Sequence, residues 1–287
     1  MVKGSPVGRN SSGFFIFVTL LDTDKFRNYI SSCSIMNDLK IIQIENSAKE
    51  PIRTVILPDN SIVLAFQSGA PVYELNNEKA ITLPRVHICG QLTHKKEYLR
   101  EPGSKSILIK FQPWQLGLLI NGLHEFTDRN IELESLINSK LEESILKDET
   151  KKSNIGSLLA NFFCQHKHID KSIIQSLFII ENAKGQIKVE ELAYQVSNSK
   201  RNFERKFREA VGLTPKKYIN NTRFRYSLKL IQENFCNNLT EVSYDSGYYD
   251  QSHFIHEFKE MVGVTPENYA RHIQPIENWA LAKKVYS

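Results

Sequence analysis

Along the first 125 or so residues the apolar positions come in short, β-branched runs cut by turn residues. RTVIL precedes Pro58-Asp59-Asn60, SIVLAFQ precedes Ser68-Gly69, and PVYEL, AITLPRVHI and SILIKFQ follow. GFFIFVTLL at 13–21 reads as a further buried strand, closed by Asp22. Short strands with Pro, Asn and Gly punctuation predict an antiparallel barrel or sandwich. PWQLGLLINGL then predicts a helix from Pro113, since proline is tolerated in a first turn.

The period changes near residue 131. Leu133, Ile137, Leu141 and Ile145 recur every fourth residue, which places them on one helical face. After the charged connector KDETKKSN, a second stripe runs through Ile155, Leu158, Leu159, Phe162 and Phe163. Together they predict a helical hairpin over about 131–165, either packed inside its own domain or forming a subunit contact. The polar stretch CQHKHIDK at 164–171 marks a domain boundary, and everything from 171 to about 275 reads helical. The expected fold class is therefore α+β in two domains. The first, 1–165, is an antiparallel β-barrel with a helical hairpin; the second, 171–275, is all-α; 276–287 is a C-terminal tail.

Within the second domain one pattern occurs twice, as SKRNFERKFREAVGLTPKKY at 199–218 and DQSHFIHEFKEMVGVTPENY at 250–269. An offset of 51 matches Phe203 to Phe254, Phe207 to Phe258, Val211 to Val262, Gly212 to Gly263, Thr214-Pro215 to Thr265-Pro266 and Tyr218 to Tyr269. Upstream the offset falls to 50, pairing Leu192-Ala193 with Val242-Ser243 and Ser197 with Gly247. Two copies of about 50 residues indicate a duplicated supersecondary unit.

Each copy has the order of a helix-turn-helix. A short helix (189–196 or 239–246) carries a small residue, Ala193 or Ser243, where a second helix must come close. Ser199 or Asp250 offers a side-chain oxygen as N-cap of the second helix. The phenylalanine and valine triplets bury that helix, and a glycine ends it. Thr-Pro then caps and begins the next helix.

With the apolar face committed, the opposite face of the first copy is Arg201, Glu204, Arg205 and Arg208, at i, i+3, i+4, i+7 spacing. Such a strip can be a solvated surface with intrahelical pairs. It can also be a helix for the DNA major groove, where Arg bonds guanine O6 and N7 and Glu accepts from cytosine N4. The helix-turn-helix order, its duplication and the local charge favour DNA. Residues 171–230 hold 13 Lys+Arg against 5 Asp+Glu, whereas 231–287 hold 4 against 8. In the second copy the strip is Ser252, Ile255, His256 and Lys259, preceded by Gln251. Gln251 can meet adenine and Ile255 a thymine methyl, but this helix gains little from counterion release. The first copy is thus expected to supply most of the affinity. The expected DNA-facing set is Ser199, Lys200, Arg201, Glu204, Arg205, Arg208, Lys216, Lys217, Gln251, Ser252, Ile255, His256 and Lys259. TPKKYINNTRFRYSLKLIQ reads as an amphipathic connecting helix, with Lys216, Lys217, Arg223 and Arg225 as cationic surface. It would set the two recognition helices about 34 Å apart, one turn of DNA.

The remaining composition mostly excludes alternatives. At 287 residues, 41% hydrophobic and 24% charged, the chain is of soluble globular type, without an apolar run of the ~18–20 residues a membrane helix needs. Four dispersed cysteines, Cys33, Cys89, Cys164 and Cys236, fit free thiols in a cytoplasmic protein. His87, Cys89 and His94 lie close in sequence, and alternation puts His87 and Cys89 on one strand face, but the set lacks the carboxylate and further histidine of a barrel metal site. Cys164, His166 and His168 read as linker. No catalytic triad, P-loop or GxGxxG is present, and no cofactor is expected. A metal-dependent barrel enzyme with an appended helical domain stays as the alternative.

The C-terminal pattern, above all SGYYDQSHFIHEFKEMVGVTPENY, resembles the DNA-binding domain of the AraC/XylS family of bacterial transcription regulators over roughly 175–272. That resemblance implies seven helices, two helix-turn-helix units on promoter DNA, and base contacts from Arg201, Glu204, Arg205, Gln251, Ser252, Ile255 and His256. Ser197 departs from the glycine the family usually has in its first turn. The N-terminal runs RTVILPDNSIVLAF, HICGQLT and ILIKFQPWQLGLLI are similar to the cupin-like domain that precedes many such regulators. This implies a non-enzymatic activator or repressor with a small-molecule effector and a homodimer contact through the 131–163 hairpin. RNA polymerase is a further partner such a regulator can have.

Overall fold

The computed structural model describes residues 16–20, 40–76, 79–117, 122–132, 170–234, 239–272 and 280–282. The expected hairpin beyond residue 132, and with it the proposed subunit contact, lies outside them. Eleven strands occur among the described residues: β1 (Ile16–Leu20), β2 (Lys40–Asn46), β3 (Ile52–Ile56), β4 (Ile62–Gly69), β5 (Val72–Asn76), β6 (Lys79–Thr82), β7 (Val86–Cys89), β8 (Lys96–Arg100), β9 (Ser104–Phe111), β10 (Asn130–Glu132) and β11 (Ala280–Ala282). They form two antiparallel sheets, ordered β1-β2-β9-β4-β7-β10 and β11-β3-β8-β5-β6. The chain crosses between sheets at the tight β4–β5 connection, so their inner faces close on one another.

Most expected runs are strands, with informative differences. AITLPRVHI is two strands, β6 and β7, divided at Leu83–Arg85, because Pro84 has no N–H for a ladder. Ile131 and Glu132 are not the start of a helix; they pair with Ile88 and His87 as β10. Part of the expected tail also returns, pairing Ala280–Ala282 with Thr54–Ile56. β8 carries its polarity inside out: Lys96, Tyr98 and Arg100 are buried while Glu97 and Leu99 are partly exposed.

A short helix α1 (Pro113–Gly117) and a 3-10 turn at Leu123–Phe126 lead out of the sheets. Seven helices follow among the described residues: α2 (Lys171–Asn182), α3 (Val189–Gln195), α4 (Lys200–Val211), α5 (Pro215–Asn234), α6 (Leu239–Asp245), α7 (Gln251–Val262) and α8 (Pro266–His272). Their apolar residues gather into two cores. Phe203, Phe207, Val211, Leu192 and Tyr218 anchor the first, and Phe254, Phe258, Val262, Val242 and Tyr269 the second. Phe203, Phe207, Phe254 and Phe258 have no exposed surface, and edge-to-face contacts at 5.6 Å join Phe207 to Tyr218 and Phe254 to Phe258. α5 belongs to both cores, through Ile219 on one side and Phe224, Leu228 and Ile231 on the other.

The sheets dock on this helical body. Leu57 is a member of the second core, and Trp114 packs against the first. α4 rests against α1 and the 3-10 turn. Buried polar ties cross the seam: Asn60 Nδ2 donates to Tyr218 O at 3.1 Å and Thr222 Oγ1 at 2.9 Å, and Asn221 Nδ2 donates to Leu92 O at 3.0 Å. Gly212 and Gly263, which end α4 and α7 at φ 93° and 85°, face the barrel directly. A Cβ on Gly212 would lie 2.9 Å from Gln91 Oε1 and 3.1 Å from Leu123 Cβ; one on Gly263 would lie 2.7 Å from Lys95 Nζ.

Candidate nucleic-acid interface

Each helix-turn-helix is assembled as its residues require. Ala193 and Ser243 are buried where α3 meets α4 and α6 meets α7. Ser199 Oγ accepts from Asn202 N at 3.4 Å, and Asp250 Oδ1 from His253 N at 2.7 Å, satisfying amides that an unbonded first turn leaves free. In the turns, Ser197 has φ 55° and Gly247 φ 75°. The serine therefore adopts the left-handed conformation the glycine supplies in the second copy, and the geometry of the first turn is kept at some strain. Thr214 and Thr265 hydroxyls accept from Lys217 N and Asn268 N, each at 3.3 Å, as caps of α5 and α8.

With the phenylalanines inside, Lys200, Arg201, Arg205 and Arg208 are exposed along α4, and Glu204 is half-buried. Arg205 Nη1 reaches both carboxylate oxygens of Glu209 at 2.9 Å, and Lys200 Nζ reaches Glu190 Oε1 at 2.5 Å. Exposed pairs of this kind hold their partners weakly, so a phosphate or base edge can displace them. Ser199 and Lys216 are exposed and Lys217 half-buried. On α7, Ser252, His256 and Lys259 are exposed; Gln251 is half-buried, and Ile255 packs partly against the second core. Thus both strips face solvent, but Ile255 offers only part of its side chain.

Two cations expected at the surface of α5 turn inward instead. Arg223 bonds Gly185 O through Nε (3.2 Å) and Nη2 (3.1 Å), and its guanidinium lies 5.6 Å from the Tyr248 ring centroid. Arg225 pairs with Glu181 at 3.0 Å and donates to Asp59 O at 3.1 Å. Both tie neighbouring elements to the connecting helix. The loop after α2 also bridges the copies, since Gln186 Nε2 donates to Asp245 O at 2.6 Å. Asp170, N-cap of α2, is drawn down to about 2 by its hydrogen bonds with Lys206 of α4 and Ser172.

Sequence reasoning overlooked the tyrosines. Tyr194 and Tyr244 are 85% and 61% exposed, and Tyr249 is 88% exposed. The offset of 50 that aligns the short helices already pairs Tyr194 with Tyr244, so the repeat register held the signal.

Between the sheets lies a cavity of about 40 Å³ walled by Ile56, Val63, Ala65, Leu83, Leu92 and Leu108, with Asp59, Gln67, His87, Cys89, Tyr98 and Arg100 contributing polar atoms. His87 and Cys89 share this face, as alternation requires. His94 does not join them; it is exposed, with Nδ1 3.5 Å from Asp128. Among the described residues no three His, Cys, Asp or Glu side chains are placed to hold a metal. His87 Nδ1 donates to Pro84 O at 2.9 Å, which fixes the tautomer, and burial pushes the ring down to about 4, opposed by that bond and by Glu74. Burial likewise pushes the Cys89 thiol up to about 11. Both groups are uncharged at neutral pH.

Residues 192–272 match the model of a family described as a helix-turn-helix domain. An uncharacterised HTH-type transcriptional regulator of Bacillus subtilis, YdeC, is 33% identical over 86 residues, which are 30% of this chain and 29% of that protein. One from Haemophilus influenzae is 22% identical over 112 residues, 39% of this chain and 36% of its own length. The chain therefore spans about a third of the length of these relatives. Among solved structures, wild-type ToxT from Vibrio cholerae, crystallised with an unsaturated fatty acid, superposes with TM-score 0.43 at 14% identity, over 82% of this chain and 95% of that one. The C-terminal domain of AraT, a response regulator from Geobacillus stearothermophilus, gives TM-score 0.35 at 18% identity, over 39% and 93%. No described helix is long and apolar enough to cross a membrane.

Proposed function

We propose that this chain, whose residues 192–272 are a helix-turn-helix domain of the AraC type, is a sequence-specific regulator of transcription that reads promoter DNA with α4 and α7. The observation that carries the proposal is the exposed ridge of Lys200, Arg201, Arg205 and Arg208, set opposite Phe203 and Phe207, which are wholly buried. On α4, Arg201 and Arg205 would take guanine edges and Glu204 a cytosine N4, while Lys200 and Lys216 would neutralise phosphates. On α7, Gln251, Ser252 and His256 would meet bases with little electrostatic help. Tyr194 and Tyr244 would donate to phosphates beside each helix and fix the register.

The barrel would act as sensor, and its seam against α5 as the route by which occupancy is felt. A ligand shifts DNA binding only through different affinities for two arrangements of the domains. A homodimer formed through the 131–165 region, contact with RNA polymerase and a cytoplasmic location complete the proposal. Leu141→Glu should then shift sedimentation from dimer to monomer while leaving the circular dichroism unchanged.

The direct test is selection of bound duplexes from random DNA by the full chain. A bipartite motif with centres about 10 base pairs apart is expected, and its retention should fall steeply with salt. Retention without any enriched motif, or none at low salt, would defeat the proposal.

A further inference from the structure

Arg100 of β8 is 4% exposed and lies between the sheets. Its Nε donates to Thr54 Oγ1 at 3.2 Å, and its Nη1 to Ser106 Oγ at 2.6 Å. The Ser106 hydroxyl in turn donates a hydrogen bond to Gln67 Oε1 at 2.5 Å. Every one of these partners is neutral. The two acids around the same interior are already matched: Glu74 pairs with Lys96 at 2.6 Å, and Asp59 pairs with Lys110. Glu74 also accepts from Asn130 at 2.5 Å. Among the described residues no carboxylate pairs with Arg100, and neutral His87 leaves the balance unchanged. One buried positive charge is left over, and it borders the cavity.

An uncompensated buried guanidinium is costly to fold around, and its planar fork suits a carboxylate. The cavity sets the remaining chemistry. Its six aliphatic residues suit an apolar tail. Donors that could serve the other oxygens of sulfate or phosphate are already engaged: Ser61 by Asp59, His87 Nδ1 by Pro84 O and Asn130 Nδ2 by Glu74. A single unmatched charge favours a monoanion. A volume of about 40 Å³ is room for about three waters, so the tail is short.

We propose that the barrel is a receptor for a short-chain monocarboxylate, held at its carboxylate by Arg100 and along its tail by Val63, Ala65 and Leu108. It rests on the assignment of this domain as the sensor and gives that sensor a ligand class. The site also has a way out to the DNA-reading half. Asp59 lines the cavity, and its main-chain oxygen accepts from Arg225 on α5.

The experiment is calorimetric titration and thermal unfolding of the full chain with sodium acetate, propionate and butyrate at constant ionic strength. Sodium chloride, sodium sulfate, acetamide and propionamide are the controls. Saturable binding and a rise in Tm are expected for at least one carboxylate and for no control. Arg100→Lys should weaken it at least tenfold, because the fork is lost. Ala65→Leu, which fills the cavity and leaves the arginine, should abolish it, as should Arg100→Met. If Arg100→Met does not fold, the other two variants decide. Equal binding of the amides, saturable binding of sulfate alone, no saturable binding of any carboxylate, or undiminished binding by Ala65→Leu or Arg100→Lys would each overturn the proposal. Retention of the selected duplex is scored separately. Propionate binding without DNA retention would remove the regulator and keep the site; DNA retention without carboxylate binding would do the reverse.

Discussion

Arg225 Nη1 donates to the main-chain oxygen of Asp59 at 3.1 Å, which joins the helix between the two helix-turn-helix units to a loop on the barrel cavity. The next residue strengthens the joint. Asn60 stands at φ 64°, where asparagine is tolerated better than most residues, and its amide bridges Tyr218 O and Thr222 Oγ1.

Asn60→Gly keeps that backbone conformation and removes both bonds at a 2% exposed site, so it should lower stability to urea by about 1–3 kcal/mol. Asn60→Ala should cost about 1 kcal/mol more, because alanine disfavours the left-handed region. Equal losses would mean that strain has no share in the joint.

Base contacts and phosphate contacts should separate by their dependence on sequence and salt. Arg201→Ala or Arg205→Ala should cost about 1–3 kcal/mol on the selected duplex and relax one base position. Lys216→Ala should weaken all duplexes alike and reduce the slope of log K against log salt by about 0.9. Gel retention across a salt series, with repeat selection for each variant, distinguishes the two.

The turns of the two units make a reciprocal pair. Ser197→Gly should relieve left-handed strain and raise the unfolding midpoint, a gain of about 0.5–1 kcal/mol after the entropy of glycine is counted. Gly247→Ser should lose about 1–2 kcal/mol, and more if Gln186 cannot move, since a new Cβ would stand 2.7 Å from Gln186 Cγ. A stabilising Gly247→Ser would contradict the φ of 75°.

Acid should loosen the barrel through His87. The unfolded ring takes a proton near 6.5 and the folded ring only near 4, so the unfolded state binds more protons between those values. The contribution is complete above pH 6.5 and is lost as pH falls toward 4, about 3 kcal/mol in all. His87→Asn, which can still donate to Pro84 O, should flatten urea midpoints measured between pH 7 and 4.5.

Much of the helical half was legible because its signals are local. Caps, glycine stops and phenylalanine spacing lie within a few residues of what they control, and each was repeated 50 or 51 positions away. The direction of Arg223 and Arg225 was not legible. A helical period shows that they share a face, but Gly185, Glu181 and Asp59, which claim them, are distant in sequence. β8 was missed for a related reason. KEYLR looks like a solvated segment, and only a matching acid, Glu74, and the hydroxyls of Thr54 and Ser106 make its inward cations tolerable. The tail strand Ala280–Ala282 depends on an open edge at β3, which no pattern in the tail reveals.

The bare ends of α4 and α7 have a mechanical corollary. Gly212 meets the barrel side at Gln91 and at the backbone and Cβ of Leu123, whereas Gly263 meets only the flexible end of Lys95. A small twist of the barrel would therefore be felt by α4 first, since Lys95 can swing aside before α7 is pressed.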